Sequence, residues 1–351
     1  MKHSDLLAHI PPKAEESVTG LEKYSSSALP AITALVGERD AELAVCLLRA
    51  ALGPRDKVGQ IEPDTRGRPL RQLLHSMKER GCNHVLLRLD RATLARREWF
   101  GVPVSVAVPM GPVWDWDGLD CLLGQTDMTV LDLDEQGARR PEKGGVFAYS
   151  ENKAQADLLA RTLRPFPGHT EFEAVALGQI QRIHLPVPGG FAVYHGLGAL
   201  ACGMCLGLSL PAMARRLRTA RGPAGCMEVL SIPAAYTVLL DRAESLRQLE
   251  QVLVSARSFT AGRLVCILEQ DTGAARGELA AQLADRVVIT GRGERRQNIC
   301  RVLDRAGVGD VIVLTGADGG QEERSFIRSC AHQRTVRGFL RRERSGAGSI
   351  G

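Results

Sequence analysis

At 351 residues the chain is long enough for two or three domains with cores of their own. Its 45 basic and 40 acidic residues leave a net charge of +5, too mild at this size to indicate a nucleic-acid partner, and 44% hydrophobic with 24% charged content is ordinary for a globular protein. Nine cysteines without a disulfide-like framework, and an N-terminus where Lys13, Glu15 and Glu16 interrupt any apolar signal region, place the expectation in the cytoplasm.

Taken in order, residues 1–29 read as an opening segment and a Ser-rich linker (Ser25, Ser26, Ser27). An apolar strand over 31–36 then runs into a turn at Gly37, followed by a helix pattern with Leu43, Val45, Leu47, Leu48 and Ala51 on one side. Strand, glycine turn and helix is the frame of a phosphate-binding loop. Further strands are predicted near 84–89, 103–108 and 127–133, with strand-like stretches at 145–149, 171–176 and 179–185. Residues 191–210 form an uncharged run of 20 containing Gly203 and Gly207. That run is long enough for a bilayer, but its interior glycines, His195 and the lack of a second run argue for a buried helix. After about residue 222, apolar strands near 236–240, 263–268, 286–290 and 310–315 alternate with amphipathic helices. Such alternation predicts parallel, doubly wound α/β sheets.

Several stretches together resemble one family, the Mur ligases, and within it the MurE type. MKHSDLLAHIP and VTGLEKYSSSALP are similar to the start of the family's first domain. Residues 67–108 follow its helix, strand and E-V-S-S-H-A-L segment. PVPGGFAVYHGLGALACGMCLGLSLPAMARRL resembles its G-x-F-N-x-x-N helix, and GPAGCMEVL resembles G-x-x-G-R-M-E-V at the entry to the third domain. The resemblance implies a remnant N-terminal domain and linker over 1–29. It implies a central P-loop-type α/β domain over 30–221 and a Rossmann-like C-terminal domain over 222–351. It also implies an ATP- and Mg²⁺-dependent amide ligase acting on UDP-N-acetylmuramoyl peptides.

The positions that would carry that chemistry have changed. The family's P-loop T-G-x-N-G-K-T-[ST] begins with Thr33 nearby and aligns on Gly37, so its lysine falls at Glu38 and its hydroxyls at Arg39 and Asp40. No lysine lies between Lys23 and Lys57 to take over. A glutamate facing a phosphate at about 4 Å and an effective dielectric near 20 costs on the order of 4 kcal/mol. The metal carboxylate of E-V-S-S-H falls at Arg88, which no Mg²⁺ can use. Asp90 shares its strand face by period two, predicting an ion-paired surface with Arg88. In GPVWDWDG, Asp115 and Asp117 remain but Trp116 stands for a histidine, and no lysine lies between Lys78 and Lys143 to act as the carbamylated bridge. The adenine-side amides become Ala192 and His195. The C-terminal D-Y-A-H-x-P-D motif is reduced to Asp241 and its neighbours, and GRGERR (291–296) stands where D-N-P-R would read the diamino acid. GRGERR reads as a solvated loop, with an anion site at a helix start as the sharper alternative. Cys202 and Cys205 read as buried small residues rather than a zinc pair, and Arg334, Arg337, Arg341, Arg342 and Arg344 as a solvated helix face.

Together these positions lead the sequence to predict a non-catalytic Mur-ligase-like protein with no bound cofactor. It would bind another protein, such as a cell-wall enzyme, with no nucleic-acid partner and no membrane span. The alternatives are a divergent ATP- and Mg²⁺-dependent amide ligase with an altered nucleotide site, and a small-ligand sensor using the remnant cleft.

Overall fold

The computed structural model describes residues 29–38, 40–53, 58–63, 69–270, 273–291, 293–316 and 320–346, the side chains of Asp40 and of 334–346 excepted. The opening segment over 1–28, Arg39, Arg292, the side chains of the C-terminal arginines and the final GAGSIG residues after Gly346 lie outside that description. Contacts divide the chain into two units. One holds the residues up to Arg164 with 171–186 and 192–221, and the other holds 165–170, 187–191 and the residues from Gly222 onward.

The first unit is built on a nine-stranded sheet. Its elements in chain order are β1 (Ala31–Val36), α1 (Asp40–Leu52), β2 (Val58–Ile61), α2 (Leu70–Glu79), β3 (His84–Leu89), α3 (Arg91–Arg96), β4 (Val104–Pro109), α4 (Leu119–Gly124), β5 (Thr126–Asp132), β6 (Gly145–Ser150), β7 (Leu158–Phe166), β8 (His169–Ala176), β9 (Gln179–Leu185), α5 (Gly190–Cys205) and α6 (Leu210–Leu217). The strand order is β2-β3-β1-β4-β5-β6-β7-β8-β9. The ladders from β2 through β7 are parallel, with Ala31 opposite His84 and Thr33 opposite Val106. β1 and β4 are buried along their whole length, as strands covered on both faces must be, which is why they read as unbroken apolar runs. At the far end Leu177 and Gly178, with φ of 49° and 72°, turn β8 into β9 in the way a two-residue hairpin requires.

The glycine-rich run folds as predicted into a buried helix, and no described helix is long and apolar enough to cross a membrane. Helix α5 stops at Cys205, and Gly207 takes a φ of 82° before α6 begins. Small residues let its neighbours approach: a side-chain carbon on Gly196 would lie 2.6 Å from Leu185 Cδ1.

The second unit contains β10 (Glu228–Val229), β11 (Thr237–Asp241), α7 (Leu246–Arg257), β12 (Leu264–Glu269), α8 (Ala274–Leu283), β13 (Arg286–Thr290), α9 (Arg295–Arg305), β14 (Val311–Thr315) and α10 (Gln321–Gly346). Its sheet order is β10-β11-β14-β12-β13, parallel except for the short antiparallel pair β10–β11. Ser245 and Gln248 form a capping box at the start of α7, each satisfying a backbone N–H of the other's end. Asp310 gathers three donors where β12 and β14 begin. It accepts from the Arg263 N–H at 2.8 Å, the Gly307 N–H at 2.8 Å and the Arg263 guanidinium at 2.7 Å. Burial alone would raise its pKa, but the arginine and the two amides outweigh it and bring the carboxyl to about 2. Asp310→Ala orphans two backbone donors, so it should destabilise the second unit by about 2–3 kcal/mol, read as a lower urea midpoint at pH 7.

Candidate functional site

In an open α/β sheet, ligands bind outside the carboxyl ends of the strands. In the first unit that edge is formed by Gly37 after β1, Glu62 after β2, Asp90 after β3, Met110 and Gly111 after β4, Asp132 closing β5 and Glu151 after β6. Its local geometry follows from the strands. The Gly37 N–H donates to the Leu89 carbonyl at 3.0 Å, and the Met110 N–H donates to the Val36 carbonyl at 2.9 Å. These bonds draw the β1–α1 turn against Met110. A side-chain carbon on Gly37 would meet the Met110 carbonyl at 3.1 Å, so only glycine fits without a shift.

Arg88 lies at this edge with its side chain only 16% exposed. Its Nε is 2.6 Å from Glu62 Oε2, its Nη2 is 3.9 Å from Glu42 Oε1, and its Nη1 donates to the Glu38 carbonyl at 3.5 Å. Glu62 also accepts from the Gln60 amide, and Gln60 accepts from Arg49 at 2.8 Å. The guanidinium therefore ties together the ends of β2 and β3 and the first turn of α1. Glu42 suits that turn independently, because an acid near a helix N-terminus meets the positive end of its dipole.

Asp90 does not form the ion pair with Arg88 that period two predicted. The strand has ended at Leu89, and Asp90 caps α3, accepting from the Thr93 N–H at 2.7 Å and the Thr93 hydroxyl at 2.6 Å. Burial pushes its pKa up, but the Thr93 bonds, with the charges of Arg88 and Arg96 nearby, hold it below the ordinary aspartate value. Asp115 is exposed on a turn whose tryptophans, Trp114 and Trp116, are buried, and Asp117 pairs with Arg97 at 3.1 Å. Thr33 is buried within β1, 3.9 Å from Cys202 Sγ, which leaves it inside the core rather than on the turn. Glu38 is exposed on the turn, and Asp40 opens α1. Ala192 and His195 are buried in α5, with the His195 ring edge-on to Tyr194 at 5.0 Å between centroids.

The sequence reading missed the acids and tyrosines further along the edge. Tyr194 Oη accepts from the Gly111 N–H at 2.9 Å, and its half-buried ring lies 5.9 Å from the buried Tyr149 ring. Asp134 accepts from the Ser150 hydroxyl at 2.8 Å and the Glu151 N–H at 2.7 Å, while its own N–H donates to Asp132 at 2.9 Å. The run Leu131-Asp132-Leu133-Asp134-Glu135 at the end of a predicted strand was the signal available. Burial, with the neighbouring carboxylates, raises Asp132 to about 6 and Glu151 to about 7. Among the described residues, no three His, Cys, Asp or Glu donors converge at this edge in a way that would hold a metal ion.

In the second unit, Asp241 is buried and accepts from the Met227 N–H and the Ala243 N–H, each at 2.8 Å, which makes it a brace for the β11 end. Within the GRGERR stretch Gly293, Glu294 and Arg296 are exposed, as expected of a solvated loop, but Arg295 is buried. Arg295 is 9% exposed, 2.7 Å from Glu323 and 3.6 Å from Glu269, and donates to the Thr315 carbonyl at 3.1 Å. Arg296 stays at the surface, 5.3 Å over the Phe326 ring.

A fold that holds ATP and Mg²⁺ at this edge needs a cationic phosphate loop and oxygen ligands for the metal. Among the described residues Arg88 is paired with Glu62 and near Glu42, and the Gly37 turn lies against Met110, so these residues do not fit that pair of groups. Because Asp132 is raised by the fold, its ionisation costs nothing below its ordinary pKa of 3.8 and costs most above its folded value of about 6. Stability should therefore fall as pH rises from about 4 to 7. The gap between wild type and Asp132→Asn should widen over that window by on the order of 2 kcal/mol, in urea titrations at each pH.

No protein-family model matches the chain. A UDP-N-acetylmuramoyl-L-alanyl-D-glutamate–2,6-diaminopimelate ligase of Thermosynechococcus vestitus is 36% identical over 127 residues, which is 34% of this chain and only 26% of that enzyme's length. A solved structure of a ligase of the same name superposes with a TM-score of 0.71 at 16% identity, covering 92% of this chain and 82% of its own. MurF ligase from Thermotoga maritima, solved in complex with ADP, gives 0.66 at 11% identity, covering 92% and 84%. The sheets described above are those of this fold, a parallel α/β domain followed by a second α/β domain. The chain is similar in sequence to MurE-type Mur ligases over part of its length and shares the Mur-ligase fold.

Proposed function

We propose that this chain is a non-catalytic relative of the Mur ligases that works by binding another protein in the setting of cell-wall synthesis. The observation that carries the reading is Arg88, held on Glu62 and Glu42 at the carboxyl edge where a nucleotide and its metal would need free oxygens and a cationic loop. In this reading residues 30–221 and 222–351 correspond to the family's central and C-terminal domains. Thr33, Gly37, Glu38, Arg39, Asp40, Arg88, Asp115, Ala192, His195 and Asp241 are then vestiges of nucleotide-site positions. The cell-wall setting follows from the names of the relatives alone, by analogy of fold and sequence.

The competing reading, a divergent ligase with an altered nucleotide site, requires Mg²⁺-dependent ATP affinity. Titration calorimetry with ATP and MgCl₂ should give no heat beyond dilution at millimolar nucleotide, and thermal unfolding should not shift. Micromolar, Mg²⁺-dependent binding would overturn the proposal.

A further inference from the structure

Among the described residues, one group of three metal-ligand side chains converges: His169, Glu171 and His184, with one ligand atom from each and all three atoms within 4.8 Å of one another. They sit on a single hairpin, β8 and β9 of the nine-stranded sheet, outside the strands that form the carboxyl edge. The sequence pattern places them there. Strand β8 alternates half-buried and buried residues without a break, so His169 and Glu171 share its less buried face, two positions apart. Counting back from the two-residue turn at Leu177 and Gly178 sets Glu171 opposite His184, whose neighbours Ile183 and Leu185 are buried. The contact agrees: His184 Nδ1 lies 3.5 Å from Glu171 Oε1.

Ligands about 2.1 Å from a tetrahedral ion lie about 3.4 Å apart, so this contact already has the length of one edge of a coordination tetrahedron. The widest separation in the group needs to close by roughly 1.4 Å at most, which side-chain rotation supplies. His169 is steadied from its other side, where its ring stacks on Phe166 at 4.5 Å between centroids and 14° between planes. The Glu171 and His184 side chains are 28% and 30% exposed, so the fold shapes them while an ion can still arrive from water. Two imidazoles and a carboxylate suit Zn²⁺ and its first-row neighbours rather than Mg²⁺, which takes oxygen ligands. All three side chains make further interactions in the fold, so an ion has to compete for them, which points to micromolar rather than tighter affinity.

We propose that His169, Glu171 and His184 form a binding site for a divalent first-row transition-metal ion of the zinc class, with three protein ligands and the remaining coordination left to water. The ion enters between Glu171 and His184, exchanges their contact for two bonds to itself, and fastens β8 to β9. The site does not depend on the non-catalytic reading, and its success or failure leaves that reading untouched.

The test is calorimetric titration of the untagged 351-residue chain with ZnCl₂, under reducing conditions after treatment with a chelator. Zn²⁺ should bind with a dissociation constant on the order of 10 µM, and millimolar MgCl₂ should not displace it. His169→Ala, Glu171→Gln and His184→Ala should each weaken binding by at least roughly tenfold. Should a variant fail to fold, wild type still decides the question: Zn²⁺ should protect His169 and His184 from diethylpyrocarbonate, read residue by residue by mass spectrometry. No binding at submillimolar Zn²⁺, binding that the three variants leave unchanged (as a cysteine site would give), displacement by Mg²⁺, or no protection of the two histidines would overturn the proposal.

Discussion

An arginine placed among the ends of parallel strands has to be neutralised where it sits, and the first unit's ligand edge is organised around that requirement. Guanidinium is charged at any working pH and cannot shed its proton when partly desolvated. Arg88 therefore fixes the positions of Glu62 and Glu42, and through them the end of β2 and the first turn of α1. A single exposed pair would contribute little. A guanidinium whose side chain is 16% exposed and that reaches three elements is different, because its bonds are made where it is largely desolvated. The turn at Gly37 completes the closure through backbone geometry alone, with Met110 against it.

Much of the scaffold could be read from the sequence. β1, β3, β4, β5, β11, β12 and β14 fall where apolar runs predict parallel strands, β13 falls where predicted but is largely exposed, and α5 is the buried helix its small residues suggest. Three strands escaped. β2 is only four residues long, β7 mixes Arg161, Thr162 and Arg164 into an exposed stretch, and β10 is a two-residue pair. Short or exposed strands carry no periodic signal, since their pairing is decided by the neighbouring ladder rather than by their own sequence.

The edge was less legible, for a physical reason. A change of residue type can be seen along the chain, so Glu38 and Arg88 stood out against the resembled motifs. What those residues do depends on partners far away in sequence. Glu62 lies 26 positions from Arg88, with no local pattern joining them. Asp90 shows the converse error: alternation put it on the same face as Arg88, but one residue past the strand end the backbone turns and the carboxylate caps a helix instead. Arg295 repeats the lesson in the second unit. A cluster of glycine and arginine looks solvated until tertiary folding buries one guanidinium between Glu323 and the Thr315 carbonyl.

The central claim, that the chain's own side chains fill its nucleotide edge, is tested most directly by a high-resolution crystal structure grown with millimolar ATP and MgCl₂. The account predicts Arg88 on Glu62, Met110 against Gly37, and no density for triphosphate or metal beside the β1–α1 turn. A triphosphate lying along that turn, with Arg88 swung off Glu62 and a metal ion on the freed carboxylates, would contradict it.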